Sequence, residues 1–184
     1  MRYMPRKETI TRDYLVETAF TLAKQEGVEN VTARKLAAKA GCSTQPIFRL
    51  YDNMEDLVSE VFSRACNFFE FYYDNATKGH EEPFVDLGLA YIKFASEEPH
   101  LFSMLFLSDK RYDKTMYEIL NGSKGIVGEQ MSKAKAAGCA NSGDLFTKMW
   151  IFIHGAACMS ITGDYDLPEA ETVKLLIETY KAYR

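Results

Sequence analysis

The chain has little from which a catalytic or metal centre is built. Its three histidines, His80, His100 and His154, and its four cysteines, Cys42, Cys66, Cys139 and Cys158, fall into no CxxC or HxxxH spacing. That excludes the common zinc and dithiol motifs, so no metal site is expected. There is no carboxylate pair, nucleophile–base set, phosphate loop or CxxCH haem site, so neither an enzyme nor a bound cofactor is expected. Long apolar runs are missing too: none approaches the roughly 20 residues of a membrane helix. The N-terminal MRYMPRKETITRDY lacks the apolar stretch of a secretory signal, and a cytoplasmic protein with no membrane partner is the expectation. Scattered cysteines on apolar segments fit buried thiols in a reducing compartment. Cys139, in AAGCANSG, is the one placed to be exposed. No alternating run reads as a strand, and there are no repeats or low-complexity segments.

What is present is uneven charge. The net charge is −4, yet residues 1–51 hold nine Lys/Arg against five Asp/Glu, while the remainder holds thirteen against twenty-one. A first third at +4 on a body at −8 suggests that one end meets a polyanion.

Helical periodicity runs nearly throughout. Leu15, Ala19, Leu22 and Ala23 recur at helical spacing between a Thr11 cap and Gly27. Thr32 caps a short second helix to about Ala40, and a third runs from about Thr44 to Tyr51. Asn53 caps a long fourth. Lys78–Glu82 reads as a junction, with Pro83 opening the next helix to Glu97. Glu98-Pro99 breaks that helix before HLFSMLFL. One helix from about Tyr112 to Ala137 follows, then Ser142–Ile161 and Pro168–Tyr183. The fold class is all-α, with about nine helices. The domains are residues 1–52 and 53–184.

The two short helices around Ala40-Gly41-Cys42-Ser43 are the size of a helix-turn-helix. Leu36, Ala37, Cys42, Ile47 and Leu50 supply the inner side, and Gly41 the turn. Thr44, Gln45, Pro46, Phe48 and Arg49 are left facing outward. A helix this short suffices where only its N-terminal half enters a major groove about 12 Å wide. Ser43 or Thr44 can cap it. Gln45 can pair with adenine and Arg49 can meet a base edge or phosphate.

The stretch TRDYLVETAFTLAKQEGVENVTARKLAAKAGCSTQPIFRLYDNMEDLVSEVF resembles the N-terminal domain of the TetR family of bacterial transcriptional regulators. The matching features are Glu26-Gly27, Thr32-Ala33-Arg34-Lys35-Leu36-Ala37, Ala40-Gly41-Cys42-Ser43, Phe48-Arg49-Leu50-Tyr51 and Met54-Glu55-Asp56-Leu57. The resemblance implies that Thr32 bonds a phosphate, that Arg34 reaches a base edge or the backbone, and that residues 43–49 form the recognition helix. Lys35 joins the same surface, and Arg6, Lys7 and Arg12 would form a loose basic arm. Two positions depart from the pattern: Phe48 stands where the family usually has Tyr, and Met54 where it usually has Lys.

Residues 83–184 are rich in aromatics and methionine. YIKFASEEPHLFSMLF and MWIFIHGAACM resemble a C-terminal subclass of the same family that carries Trp-x-x-x-His-Gly. Phe94, Phe102, Leu105 and Phe106, with Tyr117, Trp150, His154 and Met159, are the candidates to line an apolar cavity for a small-molecule effector of unknown identity. The last two helices carry extensive apolar faces. Phe146, Met149, Ile153 and Ala157 on one, and Val173, Leu176, Ile177 and Tyr180 on the other, are the candidates for a two-fold four-helix homodimer interface. The combined expectation is a ligand-responsive, dimeric regulator, a repressor that binds a roughly palindromic double-stranded DNA operator and is released by its effector. The alternative is a TetR-fold ligand-binding protein whose DNA binding is weakened or lost at Phe48 and Met54.

Overall fold

The computed structural model describes residues 10–184. Among them all regular structure is helical: ten α-helices, a 3-10 turn at Val28–Asn30 and a π-helical turn at Ser103–Leu107. By compactness the chain divides between Ala65 and Cys66. That point lies inside the fourth helix, whereas the sequence reading placed a boundary at that helix's start, 52/53.

The first unit contains α1 (Arg12–Glu26), α2 (Ala33–Lys39), α3 (Gln45–Leu50) and the first half of α4 (Met54–Asn75). Caps set the boundaries. The Thr11 hydroxyl accepts from the N–H of Tyr14 at 3.2 Å, that of Thr32 from Lys35 at 3.3 Å, and Asn53 Oδ1 from Asp56 at 3.0 Å. Each satisfies an N–H that the first helical turn leaves unpaired. Gly41 takes φ 67 between α2 and α3, and the N–H of Cys42 then bonds the Ala37 carbonyl at 3.0 Å. A side chain is disfavoured at that φ, and the motif needs the turn there. Leu15, Ala19, Leu36, Ala37, Ile47, Leu57, Val61 and Phe62 close the core.

The second unit is built round α5 (Val85–Glu97), buried on nearly every side. Pro83 does not open this helix, contrary to the sequence reading. Phe84 intervenes in the left-handed region at φ 68, which disfavours a non-glycine residue by about 1–2 kcal/mol. Its ring is buried, and its N–H donates to Oε1 of the buried Gln130 at 3.0 Å, so packing overrides the local preference. The junction before it is tied down by Asp86 in the first turn of α5. One Asp86 oxygen accepts from the Gly79 N–H at 3.1 Å and the other lies 2.6 Å from Nδ1 of His80.

Pro99 begins α6 (Pro99–Phe102), which runs on into the π-helical turn. The single helix expected over 112–137 is two, α7 (Met116–Asn121) and α8 (Ile126–Ala136). Gly122 at φ 56 and Gly125 at φ 72 interrupt it. Glu70 receives the turn between them, accepting from the Ser123 N–H at 3.3 Å, its hydroxyl at 2.7 Å and the Lys124 N–H at 3.1 Å. The chain ends with α9 (Ser142–Thr162) and α10 (Glu169–Tyr183), packed together on α5. Gly88 makes the crossing possible: a Cβ there would lie 2.9 Å from Cδ1 of Ile153 and 3.1 Å from Cδ2 of Leu176. Cys139 is buried rather than exposed, while Cys42, Cys66 and Cys158 are half-buried; all four are free thiols.

Candidate nucleic-acid interface

The helix-turn-helix presents the side chains expected of it. Thr32, Arg34, Lys35, Ser43, Thr44, Gln45, Phe48 and Arg49 are exposed and Pro46 is half-buried, while Ile47 is fully buried beneath them. Phe48 is 52% exposed, a large apolar ring held in water beside Arg49. Pro46 falls in the first turn of α3, where its missing N–H leaves no gap in the helix. Thr44 occupies the cap position without a side-chain cap bond.

The cations divide into two groups. Lys35 Nζ lies 2.8 Å from Glu26 and 2.5 Å from Asn30 Oδ1, and Lys39 Nζ is 2.7 Å from Gln25. The Lys35 ammonium holds the Glu26 carboxyl below its ordinary value. Arg34 and Arg49, by contrast, have no hydrogen-bond or ion-pair partner among the described residues, so their guanidinium groups are the uncompensated charge of this face.

A clamp that the sequence reading did not identify holds α3 in place. Tyr51, just beyond α3, is 3% exposed, and its hydroxyl donates to Glu60 on α4 at 2.9 Å. Arg12 on α1 donates through Nε to the same carboxylate at 2.8 Å, through Nη1 to the Leu50 carbonyl at 3.5 Å, and lies 4.4 Å over the Tyr51 ring. The Arg12 hydrogen bond, aided by that from Tyr51, keeps Glu60 ionised well below the usual range. Burial, then Glu60, pushes the Tyr51 phenol far up, so it remains a donor. Arg12 therefore ties α1 to the end of α3 and to α4, where the sequence reading had placed it in a loose basic arm. The arm's other members, Arg6 and Lys7, lie outside the described residues. The only sequence signal for the clamp was the aromatic at 51, and its partners lie 39 positions before it and 9 after it.

Residues 15–61 match the family model of the bacterial regulatory proteins, tetR family. A protein of Vibrio parahaemolyticus described as a TetR-family transcriptional regulator superposes with a TM-score of 0.64 at 19% identity, over 93% of this chain and 97% of that one. One from Rhodococcus sp., described likewise, superposes at 0.61 and 14% identity, over 94% of this chain and 97% of that one. No curated protein matches the sequence. The chain has the fold of TetR-family transcriptional regulators. Match and fold together support a DNA-binding transcription regulator.

Among the described residues, the eight candidate effector residues of the second unit divide between core and surface. Phe94, Phe102, Leu105 and Phe106 are at most 2% exposed, and the three rings interlock with Phe69 and Tyr91, for example Phe69–Phe94 at 5.1 Å and Tyr91–Phe106 at 4.8 Å between ring centres. Trp150 borders an apolar gap of about 10 Å³, no larger than one water. His154 is bonded to Tyr91, and Tyr117 and Met159 are 42% and 46% exposed. A larger recess, about 290 Å³, lies elsewhere, between the second half of α4 and α5.

The candidate dimer residues divide likewise. Met149, Ile153, Ala157, Leu176 and Tyr180 are buried within the protomer, none more than 4% exposed, while Phe146, Val173 and Ile177 are half-buried. They form the seam of α9 and α10 on α5. The outward face of α9 is a different stripe: Ile151 at 68% exposure, Gly155, and Met159 at 46%, four residues apart and hence aligned. Among the described residues α9 is the one helix long and apolar enough to cross a membrane, yet only 28% of that stretch is buried.

Proposed function

We propose that the protein is a dimeric, ligand-responsive repressor, reading a roughly palindromic operator with Gln45, Phe48 and Arg49 of α3 and Arg34 of α2. The observation that carries this is the pairing of two unpartnered guanidinium groups with exposed Gln45 on one helix-turn-helix, while the neighbouring lysines are engaged. Free cations neutralise phosphates and release counterions, and a glutamine at the groove edge reads adenine. The exposed α9 stripe of Ile151, Gly155 and Met159 would pair with itself in a second copy, giving two recognition helices related by a two-fold axis.

Regulation would be a population shift: an effector bound to the second unit favours a conformation with lower operator affinity, which requires different affinities for the two states. Helix α4 contributes Leu57 and Val61 to the first unit and Phe69 and Tyr73 to the second, so one helix is shared by both. The test is an anisotropy titration with DNA from upstream of the protein's own gene at two salt concentrations. Selective binding that weakens with salt supports the reading, and absence of binding to any duplex removes it. In that case the second reading, a ligand-binding protein on the same fold, is favoured by Phe48, which offers no hydroxyl to a phosphate, and by Met54, which offers no ammonium.

A further inference from the structure

The recess between α4 and α5 has a distinctive chemistry. Its wall is aromatic: Phe68, Phe71 and Tyr72 on α4. Two of the rings are braced from behind, since Phe68 and Tyr72 lie 6.3 Å and 5.2 Å from the fully buried Phe94. Phe71 is not braced and is 64% exposed, an expanse of ring left in water at the mouth. The opposite side carries Lys93 and Glu97 of α5.

Their charges do not cancel. Lys93 is already paired with Glu169 of α10 at 2.5 Å. Glu97 accepts a hydrogen bond from the Tyr72 hydroxyl at 2.6 Å, and no lysine or arginine pairs with it among the described residues. Burial, and then Glu97, pushes the Tyr72 phenol far up, so the phenol contributes a neutral donor and the recess keeps one net negative charge.

Three aromatic rings and an uncompensated carboxylate are complementary to an organic cation, and about 290 Å³ is close to the lower end of small-molecule clefts. We propose that this recess is a binding site for an amphipathic organic cation, its apolar body against Phe68 and Phe71 and its ammonium beside Glu97. The proposal deepens the regulator reading and, as far as the cation is called the effector, rests on it.

The probe is (1-naphthylmethyl)trimethylammonium, titrated by calorimetry into the full chain without DNA, beside its uncharged isostere 1-neopentylnaphthalene. The cation is expected to bind about tenfold more tightly than the isostere, and Glu97→Gln to remove that preference. Phe71→Ala, at an exposed position, is expected to weaken the cation by a few-fold with the melting temperature unchanged. No binding of the cation, equal binding of the isostere, or an undiminished preference in Glu97→Gln overturns the site. None of these results depends on DNA. A cation that binds as expected but leaves operator affinity unchanged overturns its role as effector and leaves the site standing.

Discussion

Tyr91 on α5 and His154 on α9 meet with the phenol oxygen 3.0 Å from Nδ1. Burial pushes the ionisation of Tyr91 far above its ordinary value, so the phenol keeps its proton and donates it, and Nδ1 accepts. The neutral imidazole then carries its own proton on Nε2, facing the Cys158 sulfur at 3.6 Å. Trp150 stacks on the other side, 5.2 Å between ring centres. His154 thus acts as a polar pin between two core helices.

That pin makes stability depend on pH. Burial first, and the Arg111 charge second, hold His154 below its ordinary 6.5. The unfolded chain therefore binds more protons just below that value, and stability is present above it and lost as pH falls through it. The melting temperature should fall between about pH 7.5 and pH 5.5. His154→Gln, whose amide oxygen can still accept from Tyr91, should show a shallower fall. Carboxylates held low, such as Glu60 and Glu26, act at lower pH, and His80 and His100 are common to both proteins. Parallel melting curves for the two would rule out the assignment.

On the DNA face, Arg34→Ala should reduce the slope of log affinity against log salt by about 0.9, one phosphate contact. Lys35→Ala should change it less, because Lys35 is already engaged by Glu26 and Asn30. Gln45→Ala should weaken the specific site by about 1–3 kcal/mol and leave non-specific duplex almost unaffected. Anisotropy titrations on operator and scrambled DNA separate the three. Equal losses on both duplexes for Gln45→Ala would mean that it does not read a base.

The departures at 48 and 54 can be reversed. Phe48 is exposed and Met54 is half-buried at the first position of α4, so Phe48→Tyr and Met54→Lys fit without entering the core. Lysine at a helix start is disfavoured by about 0.3–1 kcal/mol in the fold, a small loss beside a new phosphate contact. The double variant should bind DNA more tightly at low salt and steepen the salt slope by about 0.9. An unchanged slope would show that the ammonium introduced by Met54→Lys does not reach a phosphate.

The helix-turn-helix was legible because its signals are local. Leu15, Ala19, Leu22 and Ala23 repeat at helical spacing, Thr32 and Asn53 cap, and Gly41 turns, each signal contained within a few residues of its own element. The second unit was read less well because periodicity identifies an apolar face without saying what covers it. Phe94, Phe102 and Phe106 would look the same in sequence whether they lined a cavity or filled a core. Gly122 and Gly125 sat in plain view inside the helix expected over 112–137, but the interruption depends on Glu70, more than 50 positions away. Helix α9 carries apolar residues on both sides, and only the packing of α5 and α10 decides which side is enclosed.

That last distinction yields the sharpest prediction. Ile151 and Ile153 are two positions apart on α9, at 68% and 4% exposure, so they point to different surroundings. Ile153→Ala removes packing against Gly88 on α5 and should destabilise the fold by about 2–5 kcal/mol. Ile151→Glu touches no core and should leave the circular dichroism and the two-state melt of an isolated protomer intact. If the stripe Ile151–Gly155–Met159 joins two copies, the same substitution places a carboxylate in an apolar seam without a partner, a serious penalty when buried. Sedimentation should then show the wild type as a dimer and Ile151→Glu as a folded monomer. Operator affinity should fall with it, because one recognition helix has lost its two-fold mate. A wild type that sediments as a monomer, or an Ile151→Glu dimer of undiminished affinity, would mean that this stripe does not join the copies.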